Sequence, residues 1–317
     1  MRLSFIDPDK AKAEGEAALK ESLIASNSDN AGVTPPQPNR WANPLLRSLV
    51  VDESRASKTM VDMLTSYGTV TDPRLTLILS QSGAWVKGEA DAVQYRGVPN
   101  GLPVTDLSLP EYDNSHNSCI WGYMWGYDWN SAAKGSNVAK PNTDANFTPL
   151  GLMNYSEVCF LKAEAALRGW QGAGDAQANY EEGIRASFEE MRALAPEGSY
   201  STTDDNTYIT TGQVAWNNAD DFVIKLEKII TQKWIGIYPN SEEAWAEFRR
   251  TGYPKLHPVK QSLEPTINPA NNEFIKKLRY VDNELSNNKE YATDPTLNGG
   301  KGDGLSVRVW WDTARYK

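Results

Sequence analysis

Five aromatic residues alternate along the segment IWGYMWGYDW: Trp121, Tyr123, Trp125, Tyr127 and Trp129. Successive side chains of an extended chain point to opposite faces, so in that conformation all five rings project from one side. A row of flat rings suits carbohydrate. Sugars present apolar C–H faces that pack on aromatic rings, while their hydroxyls bond to ring edges and nearby amides. The competing use is a row turned into the core or a loop folded on itself. Long polar flanks, 109–117 and 131–146, are of the kind that carries binding. Trp85, Tyr112 and Tyr95 are weaker additions to this row in the same loop-rich text.

Groups for bond-breaking chemistry are sparse. The chain has no Gly-x-Ser-x-Gly elbow, phosphate-cradling glycine loop, His-Glu-x-x-His pair or dinucleotide fingerprint. Its two histidines, His116 and His257, lie in proline- or asparagine-rich text without ligand-spaced partners, and read as loop histidines. No metal or cofactor is expected. Glu157 and Glu164 are seven residues apart, on one helical face at roughly 10 Å along the axis, and a glycosidase needs only two carboxylates. Pairing with arginines is the favoured reading for them. Arg249 and Arg250, in a last helical turn, are assigned a structural role, bonding free carbonyls or a carboxylate. Cys119 and Cys159 are the only cysteines, too few for a disulfide framework, and Cys159 reads as core.

Bulk composition narrows the partners. With 32 Lys and Arg against 41 Asp and Glu, the net charge of −9 opposes a phosphate backbone, so nucleic acid is excluded as a partner. Eleven Trp and fourteen Tyr against seven Phe favour aromatics with a polar edge. No apolar run approaches the roughly 20 residues needed to cross a bilayer.

The elements that must position these residues are mostly helical. Asp7 caps and Pro8 opens a helix near the start. A short helix fits 57–66, and Thr71–Leu75 (TDPRL) breaks the pattern with an Asp-Pro turn. The clearest unit is a hairpin of 154–168 and 176–194, the second arm capped by Asp175 and carrying Tyr180, Ile184, Phe188 and Met191 on one stripe. Its six-residue loop makes the arms antiparallel, like one tetratricopeptide unit. Another helix covers about 219–237 and ends at Pro239. A last one is capped by Asn240, with Glu243 completing a box-like start, and is stopped by Gly252 and Pro254. Loops dominate 81–150 and 254–317, apart from a short strand at 306–313, SVRVWWDT. The expected class is mostly α, one domain over 1–317, with its helical core at about 1–26, 154–194 and 219–251.

The wording QKWIGIYPNSEEAWAEFRRTGYPKL over 232–256 resembles the C-terminal signature of the SusD/RagB family. So do TDPRL, the hairpin at 154–168, FIKKLRYVDNELSNN at 274–288 and the double-Trp-Asp ending. Where the family usually has Tyr-Pro, this chain has Tyr280 and Val281, which bears only on a local turn. The resemblance implies a SusD-like fold of tetratricopeptide-type hairpins with long loops and a few short strands. It also implies a non-catalytic outer-membrane lipoprotein that holds oligosaccharide or polysaccharide, or peptide, for a SusC-like TonB-dependent transporter. Family members normally begin with a signal peptide, a lipid-bearing cysteine and further hairpins, none of which is found in 1–26, so a C-terminal fragment is expected. Glycan-contacting aromatics have no fixed motif in the family, so the residues above rest on this sequence alone. The alternatives are an α-helical glycoside hydrolase, which would release reducing sugar, and a protein-binding helical-repeat scaffold with the aromatic row buried at its interface.

Overall fold

The computed structural model of the chain describes residues 1–34, 55–113, 115–120, 122–125, 149–292, 294–300 and 302–313, with the backbone alone at Trp125, Ala292 and Gly299. Helices dominate. The hairpin forms as its spacing requires: α5, Tyr155–Leu167, starts where Asn154 accepts the Glu157 N–H, and α6, Ala176–Ala193, starts where Asp175 accepts the Ala178 N–H. Preceding them are α1 (Pro8–Ala18), α2 (Lys58–Ser66), α3 (Leu75–Ile78) and α4 (Gly83–Val86). Asp7 caps α1 and Pro8 occupies its first turn, as expected.

Three further helices follow the hairpin: α7 (Asp205–Thr210), α8 (Phe222–Gly236) and α9 (Ser241–Thr251). The expected start of α8 at 219 is three residues early. Asp221 accepts the Ile224 N–H and sets the boundary, while Asn217 and Asp220 close a turn just before it. Helix α8 packs against both arms of the hairpin. Between them lies a core of Phe160, Tyr180, Ile184, Phe188, Tyr208, Leu226, Ile229 and Ile230, all buried, with the Tyr180 hydroxyl donating to the Val214 carbonyl at 2.7 Å. Burying each such side chain contributes roughly 1.5–3 kcal/mol. A second core gathers Met60, Leu64, Leu75, Leu77, Ile78 and Met124 beside Met191 and Ile235.

What the wording of 232–256 encodes is a buried charge network joining α5, α8 and α9. Arg250, fully buried, forks onto both oxygens of Glu164 at 2.7 and 2.6 Å and onto Glu247. Glu164 also accepts from Arg168, while Lys233 meets Glu243 at 3.1 Å and Glu157 at 3.2 Å. Burial opposes ionisation of Glu247, yet Arg250 and Lys233 hold its pKa down at about 2; burial likewise opposes the Arg250 charge, which Glu164 and Glu247 stabilise. Glu164 pairs with arginines as expected, Arg250 bonds carboxylates and Arg249 a carbonyl, whereas Glu157 pairs with Lys233 instead of an arginine. Arg249 lies 3.6 Å from the Trp245 ring centroid and 4.8 Å from that of Trp311, and it donates to the Lys276 carbonyl. The capping box is only half formed: Asn240 accepts the Glu243 N–H, but its own N–H goes to the Ile237 carbonyl because the Glu243 carboxylate turns to Lys233 and Arg2. Gly252 ends α9 at φ 82°, the left-handed cap that glycine adopts without strain.

One expectation about strands is corrected. No strand forms at 306–313. Val307 and Asp312 are buried while Trp310 is exposed, and the segment closes in a turn from the Asp312 N–H to the Val309 carbonyl. Alternation alone does not supply a neighbouring backbone to pair with. Among the described residues the one ribbon is β1 (Ala31–Val33) with β2 (Leu150–Met153), antiparallel, which periodicity did not locate. Beyond Pro254 come loops and the short helices α10 (Asp282–Asn287), α11 (Lys289–Ala292) and α12 (Leu297–Gly300). No disulfide joins Cys119 and Cys159, and Cys159 is buried.

Candidate functional site

The loop-rich region is held by backbone bonds between segments distant in sequence. Ala56 donates to the Ser118 carbonyl at 2.7 Å, Val98 to Ala56 at 2.8 Å, Ser118 to Arg96 at 2.7 Å and Ser80 to Cys119 at 2.9 Å. Arg55 ties two more turns by donating to the Leu107 and Tyr112 carbonyls at 3.0 and 2.6 Å. On this frame sits α4, a single turn. Ser82 caps it by accepting the Trp85 N–H and donates its own hydroxyl to the Val93 carbonyl; Ala84, buried, donates its N–H to the Ser115 carbonyl at 2.8 Å. One turn has little intrinsic stability in water, so these contacts fix the helix. They leave the Trp85 ring 45% exposed.

Polar side chains that sequence spacing did not pick out lie on the segments joined to α4 by the Ala84–Ser115 and Glu89–Ala84 backbone bonds. His116, read as a partnerless loop histidine, has its Nδ1 2.7 Å from Asp113 Oδ1, and its Nε2 lies 3.7 Å from Glu89 Oε2. Partial burial works to raise the Asp113 pKa, but the hydrogen bonds from His116 win and lower it. The i,i+3 spacing of Asp113 and His116 was the available signal; the approach of Glu89 depends on the tertiary frame. Tyr112 is half-buried beside Asp113, with a phenol pKa raised chiefly by its hydrogen bond with Glu111. Tyr95 packs against the second core, and burial pushes its pKa up to about 12.

The aromatic row departs from the extended reading where it can be seen. Tyr123–Trp125 forms a 3-10 turn, in which successive positions rotate by about 120° instead of alternating between two faces. The reason is close packing on α3. Gly122 donates to the Ile78 carbonyl, a Cβ there would overlap the Leu77 carbonyl, and Met124 is buried in the core. Tyr123 is partly buried against that core. Trp121, Tyr127, Trp129 and the Trp125 side chain lie outside the described residues. Among the described residues Glu89, Asp113 and His116 thus form one linked polar cluster on segments joined to α4, the helix that exposes Trp85. Among the described residues no group of His, Cys, Asp and Glu is arranged to hold a metal ion.

Comparison with known proteins places this arrangement. Solved structures similar to the chain include a SusD homologue from Bacteroides vulgatus ATCC 8482 (27% identity, TM-score 0.73, covering 100% of this chain and 61% of that one). Another is a chitin-binding SusD homologue from Flavobacterium johnsoniae (28%, TM-score 0.71, 98% and 60%). A third is a SusD homologue from Bacteroides thetaiotaomicron VPI-5482 (25%, TM-score 0.72, 100% and 63%). The chain thus spans about three-fifths of the length of these relatives. No curated protein matches it. The family model SusD-like, described as Susd and RagB outer membrane lipoprotein, matches residues 1–312, and the chain belongs to that family.

Proposed function

We propose that this chain is the glycan-holding part of a non-catalytic outer-membrane nutrient-binding protein that passes its ligand to a TonB-dependent transporter. The observation that carries this reading is Trp85: an indole 45% exposed on a one-turn helix pinned from both sides. Glu89, Asp113 and His116 supply hydrogen-bonding groups on the segments joined to that helix. Membership of the SusD-like family and the chitin-binding description of one relative support it. Ring stacking and a few hydrogen bonds give modest affinity, in the millimolar to micromolar range of about −4 to −8 kcal/mol. Weak holding suits delivery, because the ligand must leave again.

Affinity electrophoresis in gels cast with chitin derivatives, xylan, starch or pectin tests the reading. Retention should fall about tenfold or more for Trp85→Ala and for Trp129→Ala, the latter probing the aromatic row. Unchanged retention of both variants sinks this site. Release of reducing sugar by purified protein would replace the reading with a hydrolase.

A further inference from the structure

A groove of about 360 Å³ lies on the other side of α3, lined by Thr71, Asp72, Thr76, Tyr200, Ser201 and Asp204 among others. Both of its walls are clamped to α6. On one side Arg74, fully buried, forks onto Asp72 and donates to Ser187 Oγ at 3.0 Å and to Gln232 Oε1 at 2.6 Å, which fixes the backbone of 71–76. On the other, Arg192 makes two 2.6 Å bonds to Asp205 and donates to the Ser201 carbonyl at 2.9 Å. Phe188 lies between the two guanidinium groups, 5.2 Å from Arg74 and 5.3 Å from Arg192. Arg192 also packs 5.3 Å from the Tyr200 ring centroid. The phenol ring is thereby set in place while 37% of the residue stays exposed.

Asp72, Ser199 and Ser201 are engaged within the chain, but four other polar side chains along this groove are not. No described residue bonds to the side chains of Thr71, Thr76, Tyr200 or Asp204, and Asp204, at the position where it could cap α7, leaves that cap unmade. Free surface hydroxyls are ordinarily just hydrated. Here two threonine hydroxyls, a carboxylate and a ring held by an arginine converge on one rigid groove, and preorganisation lowers the cost of binding. The volume is at the low end of the roughly 300–1,000 Å³ usual for small-molecule sites, which suits one or two sugar units.

We infer that this groove is a second saccharide subsite, in which Tyr200 stacks on a neutral sugar ring and Asp204 accepts hydrogen bonds from its hydroxyls. An uncharged ligand is favoured because the Asp204 carboxylate repels a uronate, whereas a charge-assisted bond to a hydroxyl is strong. The subsite is independent of Trp85; only its ligand class rests on the function proposed above.

Saturation-transfer NMR and calorimetry with chitohexaose, cellohexaose, maltohexaose and hexagalacturonate test it on the intact chain. A neutral hexaose should still bind the Trp85→Ala variant, with Tyr200 resonances perturbed. Adding Tyr200→Ala should weaken that residual binding about tenfold, the upper end for a lost ring contact, and Asp204→Asn should weaken it severalfold and admit hexagalacturonate. Tyr200→Phe, which keeps the ring, should retain most of it; thermal melts matching the parent confirm folding. If Trp85→Ala abolishes all binding, or Tyr200→Ala changes nothing, the second subsite is wrong and the Trp85 reading survives. If no hexaose binds the unmodified chain, both fall.

Discussion

Glu190, on α6, offers a quantitative test of how the hairpin is built. Its Oε2 is buried without a hydrogen-bond partner among the described residues. Burial pushes its pKa from 4.5 up to about 7, against a smaller opposing effect of its hydrogen bond with Asn154, whose carbonyl oxygen is already engaged in capping α5. The folded state therefore holds a proton that the unfolded state has released. The stabilisation this gives is complete below pH 4.5 and is lost as pH rises to about 7. At 1.36 kcal/mol per pH unit the span corresponds to about 3 kcal/mol, reduced to about 2 kcal/mol by the solvent contact the residue retains. Glu190→Gln removes the titration while keeping the shape. In urea unfolding the variant should match the parent within about 1 kcal/mol at pH 4.5 and exceed it by about 2 kcal/mol at pH 8. A difference that stays flat across that range, or a Glu190 carboxyl seen by NMR to titrate near 4.5, refutes the reasoning.

Two other perturbations probe the frame. Arg250→Met strands Glu164 and Glu247 in the core and should cost about 3–5 kcal/mol in urea unfolding, with much of it recovered when both glutamates are changed to glutamine; a cost under 1 kcal/mol would mean that the network is not buried as described. Gly122→Ala drives a methyl group into the Leu77 carbonyl and should cost about 1–3 kcal/mol and alter the near-ultraviolet aromatic spectrum, whereas an unperturbed spectrum would argue that 122–125 does not lie on α3.

Local text was legible where the structure is locally determined. Asp7, Asp175 and Asn240 cap the helices they were expected to cap because a cap needs only an oxygen and an N–H three residues on. The hairpin was readable for the same reason, its contacts being spaced by a turn or a short loop. The loop region was not. Trp85 is presented by bonds from Ser82 to Val93 and from Ala84 to Ser115, pairings that no periodicity announces. The row at 121–129 was read by alternation, and at 123–125 the pull of Met124 into the core and the fit of Gly122 against α3 override it.

The charged text of α9 shows how one set of residues can answer two demands. Glu242, Glu243, Arg249 and Arg250 complement the helix dipole, and that is visible from their order. The dipole explains only their sign, however. Glu243, Glu247 and Arg250 recur at steps of four and three, which puts them on one face, and Glu157 and Glu164 recur at seven on α5. Two such faces bearing matched charges can meet in one register, because sliding α9 by a turn would set Arg250 beyond Glu164 and leave buried charge unpaired at a cost of several kcal/mol. An apolar contact of the same size tolerates slippage far better, since burial is non-directional. The network therefore fixes where α9 sits on the hairpin. Through Arg249 on Trp311 the same helix also sets where the C-terminal segment docks.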